Sequence, residues 1–411
     1  MIRVQKNRFS MFGVKRVLLF AVLIQCAFFT NAGSRDQAKR IHDRIAGVQA
    51  SDAVIDSMAA AIDGENPGAA AFTAMDNAAF YNVTLKNMVT PWTNEEQTAF
   101  APLNDYTATV IGIVRDDLDF RLILSGDLLY IGSSGPGIPA YNNSNNEHYA
   151  ALEAQNVSLK DNLVGSSPQS SITGLPAEAT AGVLTSRAAA QAFFKDGTNR
   201  AMFRFTLLNH LCTDLEGVRD TSRPADRIRQ DVSRSPGGNS SIFLNSCIGC
   251  HTGMDPMAQS FAYYQYEYDE ENDTDGVFGR LAYNREGDVD PETGSRVQAK
   301  YHINSNSFKY GYITPNDRWD NYWREGQNQS LGWDEGLPGG GSGAKSMGQE
   351  LAHSDAFSQC QVRKVFRTVC LREPLSAQDN TQLGLMTTAF KTSNYKLKQV
   401  FADSAVYCMG E

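Results

Sequence analysis

Cys247, Cys250 and His251 stand in the run Cys-Ile-Gly-Cys-His, and their types and spacing are those that covalent haem attachment requires. Two thiols separated by two residues on a turn of helix can each add across a vinyl group of one porphyrin. The histidine directly after the second thiol is then carried under the ring, where its imidazole can bind iron as the proximal ligand. With 7 Cys and 6 His among 411 residues, the pattern should arise by chance about 0.002 times in such a chain. The competing uses of the pair are a redox dithiol and half of a zinc site. No second C-x-x-C stands in the sequence to complete a tetrahedral zinc set. The expected cofactor is one covalent haem c, with Cys247 and Cys250 as anchors and His251 as iron ligand.

What lies on the far side of the iron separates a closed electron-transfer site from an open one that admits peroxide or small ligands. Met254 and Met257 follow His251 too closely to cross the ring and read as packing. Met347, after the glycine-rich run 336–343 and before the C-terminal helices, is the leading candidate for the distal ligand, with His302 and His353 next. His210, beside Cys212 on an apolar helix, reads as structural, and His42 and His148 lie far upstream.

Haem attachment of this kind takes place outside the bacterial cytoplasm, which places a demand on the N-terminus. Residues 1–16 carry Arg3, Lys6, Arg8, Lys15 and Arg16 and no acid, and Val17 to Phe29 form a short apolar run. Thr30-Asn31-Ala32 offers small residues for cleavage, so residues 1–32 are expected to be a signal peptide and the protein periplasmic or otherwise exported. Cys26 does not suit a lipoprotein site, because Gln25 before it is bulky. Removal of the leader moves the formal net charge from −9 to −14, since it takes away five basic residues and no acid. Such a surface argues against nucleic acid as a partner and suits a basic redox protein. No other segment reaches membrane-spanning length. Cys212, Cys360, Cys370 and Cys408 remain, an even number that an oxidising compartment would pair. Three connectivities are open, as are four buried free thiols. Three C-terminal helices running up, down and up would favour Cys370 with Cys408 and leave Cys212 for Cys360.

The elements that must position the motif read as a mainly α fold, with helical domains around a c-type haem, a small irregular or β insertion and a C-terminal three-helix unit. Residues 33–135 form an N-terminal helical domain. In it, 35–63 reads as a helical stretch ended by Gly64 to Gly68, while 106–114 and 120–124 suit a helix or a short strand equally. Residues 141–146 are polar loop. The haem-bearing module spans 176–276, with two helices upstream of the motif broken at Asp196-Gly197. The loop from Arg219 to Asn239 holds Arg219, Arg223, Arg227, Arg229 and Arg234, candidates to hold the haem propionates. Tyr263 to Tyr268 reads as core, and 269–276 as a hairpin loop whose calcium-loop register fails at Ala282. Residues 277–344 form the insertion and 345–411 the C-terminal module. There Ser354 caps a helix through Val369, followed by helices near 377–391 and 396–407.

With the parts in this order the chain resembles the planctomycete-type cytochrome proteins, a tripartite group found in Gram-negative bacteria. The resemblance rests on Gly182 to Thr185 (Gly-Val-Leu-Thr), on the haem motif followed by Gly253-Met254-Asp255-Pro256, on Phe120 to Asp127, and on Phe357 to Cys360 with Arg372-Glu373-Pro374. Residues 277–340 match nothing in it. It implies a haem protein working outside the cytoplasm and supplies no substrate. The first expectation is a monohaem electron-transfer protein. The alternatives are a haem enzyme, such as a peroxidase or an oxidase subunit, and a structural haem component of an envelope complex.

Overall fold

The computed structural model describes residues 32–164, 168–196 and 198–410. The leader expected over 1–32 lies outside these residues but for Ala32. The architecture is mainly α-helical, with two antiparallel sheets of two strands each, and so agrees with the fold class expected from the sequence.

Among the described residues three helices come first, α1 (Ser34–Ala46), α2 (Asp52–Asp63) and α3 (Pro67–Met75), and they pack on one another. The expected single stretch over 35–63 is in fact α1 and α2. Gly47 takes φ +72° and its amide caps Asp43 O at 3.0 Å, so the chain reverses there before Ser51 caps α2. Next comes α4 (Asp105–Arg115), buried on nearly every face. Phe120–Leu124 settles as a 3-10 turn, neither α-helix nor strand. Its backbone is the floor on which Gly182 rests: with φ +55°, a Cβ there would meet Ile123 O at 2.2 Å. This close approach explains the glycine that opens Gly-Val-Leu-Thr.

After α5 (Glu147–Ala154) come the two helices upstream of the motif, α6 (Arg187–Phe193) and α7 (Arg200–Leu211). The motif itself sits on α8 (Ile248–Ala258), entered through a π turn at Phe243–Cys247. Strands β1 (Tyr264–Tyr268) and β2 (Gly279–Tyr283) form the hairpin expected around 269–276, with Tyr264 opposite Tyr283 and Tyr268 opposite Gly279. Tyr264 and Tyr266 point inward, as the core reading of this run requires. The remaining pair, β3 (Arg318–Asp320) and β4 (Gly340–Ser342), joins the ends of an otherwise irregular segment.

Four helices close the chain: α9 (Gly343–Ala352), α10 (Asp355–Cys370), α11 (Ala377–Thr392) and α12 (Leu397–Cys408). Ser354 accepts from Phe357 N at 3.1 Å, and Ser376 with Asp379 forms a capping box. α10 and α12 pack together, and Cys370–Cys408 and Cys212–Cys360 are disulfides. This is the pairing that the up-down-up arrangement favoured. α12 also lies on α3, and Arg40 and Arg44 of α1 donate to Met409 O and Cys408 O at 2.6 and 2.8 Å. One apolar core therefore runs from Ala38 to Cys408.

Candidate haem-attachment site

Cys247 and Cys250 are free thiols, each partly buried, on the half-exposed face where the π turn passes into α8. The backbone beneath them is fixed from the loop before the motif. Asp220 N donates to Gly249 O at 2.9 Å, Thr252 Oγ1 donates to Asp220 O at 2.8 Å, and Cys250 Sγ lies 3.5 Å from Leu215 O. Burial, with Glu216 adding to it, pushes the Cys250 thiol up to about 11.

His251 follows on the same helix, and its Nδ1 lies 3.0 Å from Asp255 Oδ1. The two are i and i+4, so one helical face brings them together. Among the described residues no hydrogen bond engages Nε2. Asp255 is fully buried and held in turn by Arg200, whose Nε lies 2.9 Å from Oδ1. The same guanidinium makes two 2.8 Å bonds to Asp231, and Arg229 reaches Asp231 at 3.1 Å and donates its backbone N to Asp255 Oδ2 at 3.3 Å. Burial alone would raise the Asp255 carboxyl. Arg200, then His251 and Arg229, outweigh it and hold the group well below the usual carboxylate range. Arg200 is aimed by its neighbour: Asn199, at φ +65°, donates to Phe261 O and Tyr264 O at 3.1 and 3.0 Å and so fixes the start of α7.

The donor set fits a haem c: two unpaired thiols two residues apart, and an imidazole with Nδ1 engaged and Nε2 open. Exposed Ile242 and Leu244, just before the thiols, add apolar surface that a porphyrin edge would cover. Gly253, Met254 and Asp255 of Gly-Met-Asp-Pro also have local duties. Met254 and Met257 are buried in the main core, as packing requires. A Cβ on Gly253 would stand 1.9 Å from Trp323 Nε1, and Trp323 is fully buried. Gly253→Ala is therefore expected to destabilise the protein by about 1–3 kcal/mol through overpacking. Gly249→Ala, whose Cβ would meet nothing nearer than 3.3 Å, should be close to neutral. Urea midpoints of the two variants measure the contrast.

Other expected site residues are placed elsewhere. Met347 is fully buried on α9 in the main core, whereas Cys247 packs on a smaller cluster of Ile228, Val232 and Phe243. His353 caps its own helix through Gln349 O, and His302 Nε2 lies 3.4 Å from Thr314 O. His210 is buried, bonded to Tyr106 OH at 2.8 Å, and burial lowers it well below the usual range. The loop arginines all have protein partners: Arg219 with Glu216, Arg223 with Asp220 and Glu325, Arg227 with Asp320, Arg229 with Asp231, and Arg234 with main-chain carbonyls. Sequence reading missed Asp255, Arg200 and Asp231 as parts of the site. The i, i+4 spacing of His251 and Asp255 was a usable signal for the first. Compared with models of protein families, with curated proteins and with solved structures, the chain matches none.

Proposed function

We propose that this protein is an exported monohaem c-type cytochrome whose haem is bound covalently at Cys247 and Cys250 and whose iron takes His251. One observation carries the reading. Of the six described cysteines, the four outside the motif pair with one another, and the two left free are the pair that directly precedes a histidine held by a buried carboxylate. When bound, the haem would supply a one-electron couple. The chain's own part is to present Nε2: Asp255 takes the Nδ1 proton in a hydrogen bond, fixes the tautomer and ring plane, and makes the imidazole a stronger donor. The likeness of Gly182–Thr185 and Gly253–Pro256 to the haem module of planctomycete-type cytochromes supports the reading. Two disulfides and the expected leader support an oxidising compartment. Among the described residues no helix is long and apolar enough to cross a membrane.

Met347 is the proposed distal ligand. It lies in the main core, whereas Cys247 packs on the smaller cluster.

Co-expression with a cytochrome c maturation system tests the proposal. The wild-type protein should carry haem that survives acid extraction, and Cys247→Ala with Cys250→Ala should carry none. Acid-stable haem in the double variant would overturn the assignment. Oxidised spectra should show low-spin, six-coordinate iron that Met347→Ala perturbs. High-spin iron with fast peroxide turnover would replace electron transfer with enzyme chemistry.

A further inference from the structure

A second site lies apart from the motif. A cleft of about 820 Å3 opens between the turn around Trp92, the end of α7 and the last turns of α10, and neither the motif thiols nor His251 line it. Its volume is within the range of small-molecule sites. Met88, Pro91, Leu208 and Leu371 give it apolar walls, and Leu371 is 72% exposed at its edge.

The polar groups of the cleft are nearly all committed. Asn209 donates to Trp92 O at 2.9 Å and accepts from Gln97 Nε2 at 3.3 Å, and Thr368 Oγ1 donates to Lys364 O at 2.9 Å. Arg367 pairs with Glu373 at 2.8 Å, and Arg372 with Asp379 at 2.9 Å. Lys364 differs. Its ammonium lies 4.0 Å over the Trp92 ring, and among the described residues no carboxylate comes within ion-pair distance of it. Burial, and then Arg367, push it well below the usual lysine range. The paired charges cancel, which leaves Lys364 as the lining base without an anion; burial disfavours its charged form, and an anion bound beside it would favour the proton again.

We infer that this cleft binds a small organic monocarboxylate with an apolar body, its carboxylate on Lys364. One unmatched cation calls for one negative charge, and a dianion such as phosphate would bring a second charge towards Glu373. A carboxylate there gives the part-exposed ammonium a charge-assisted hydrogen bond that no group of the described residues supplies. The alkyl or aryl part takes the place of water against Leu208, Met88 and Leu371.

Calorimetric titration of the mature, disulfide-intact protein with octanoate, and with octanamide as its neutral counterpart, tests the inference. Octanoate should bind saturably and octanamide should not. Lys364→Met should weaken octanoate by about 10- to 100-fold, as loss of a hydrogen bond to a charged group predicts. Leu208→Trp, which fills the cleft, should abolish binding. The urea midpoint of Lys364→Met, measured alongside, separates loss of binding from loss of fold. Absence of saturable octanoate binding, equal binding of octanamide, or unchanged affinity in Lys364→Met would each overturn the inference.

Discussion

Cys212→Ser with Cys360→Ser is expected to lower stability by about 5 kcal/mol, the chain-entropy value for opening a cross-link that spans 148 residues. The corresponding change at Cys370 and Cys408, which spans 38 residues, should cost about 4 kcal/mol. Whole domains are stable by only about 5–15 kcal/mol, so the first loss is on the scale of the fold itself. The long cross-link also joins the end of α7 to α10, and therefore joins the helix that begins at Arg200 to the C-terminal bundle. Urea unfolding of the wild type and the two double variants, at equal pH and without reductant, gives the ranking. A larger loss at Cys370–Cys408 would show that strain or residual structure outweighs loop length.

The second large effect is expected at Arg200→Met, at about 3–5 kcal/mol, the range for removing one partner from a buried ionic network. Arg200 is 19% exposed at its side chain, Asp231 4% and Asp255 0%, so the variant leaves two buried carboxylates with only Arg229 and His251 to share. The loss should depend on pH in a definite direction. In the wild type the Asp255 carboxyl is held below its unfolded value, so its contribution is complete above roughly pH 4 and falls away as pH drops through the folded value. In the variant Arg200 no longer offsets burial, so the folded value of the Asp255 carboxyl rises and less of the stability depends on its ionised form. The gap between wild type and variant should therefore narrow as pH falls below about 4. Urea midpoints at pH 7 and pH 3.5 measure this, and a gap independent of pH would remove Asp255 from the account.

Local signals in the sequence were good guides where local chemistry decides the outcome. Ser354 before an apolar 3.6 periodicity, the turn residues at 269–276 and the break at Asp196-Gly197 each correspond to an element boundary. The thiols and His251 were legible because the chemistry demands a fixed spacing. The rest of the site was not, because its pairings are long-range. Arg200 meets Asp231 and Asp255 across 31 and 55 residues, and nothing in a linear run distinguishes those partners from other charges in a mixed-charge loop. Phe120–Leu124 was ambiguous for another reason. Four apolar residues around Arg121 fit several periodicities, and the 3-10 turn that forms is capped by Asp119 and lies against Gly182, contacts that apolar spacing does not show. The 35–63 stretch read as one helix because its apolar spacing continues across Gly47, while the left-handed turn there depends on the backbone alone.

The disulfide arrangement also sets a problem of timing. In the unfolded chain Cys212 is 35 residues from Cys247 and 148 from Cys360. Loop closure alone makes the nearer encounter about ninefold more frequent. The motif thiols are thus the natural wrong partners of the residue that must wait longest for its right one. Capping of those thiols as thioethers, as proposed for the motif, would remove the competitors, so haem attachment before oxidation would act as a proofreading step for the cross-link between α7 and α10.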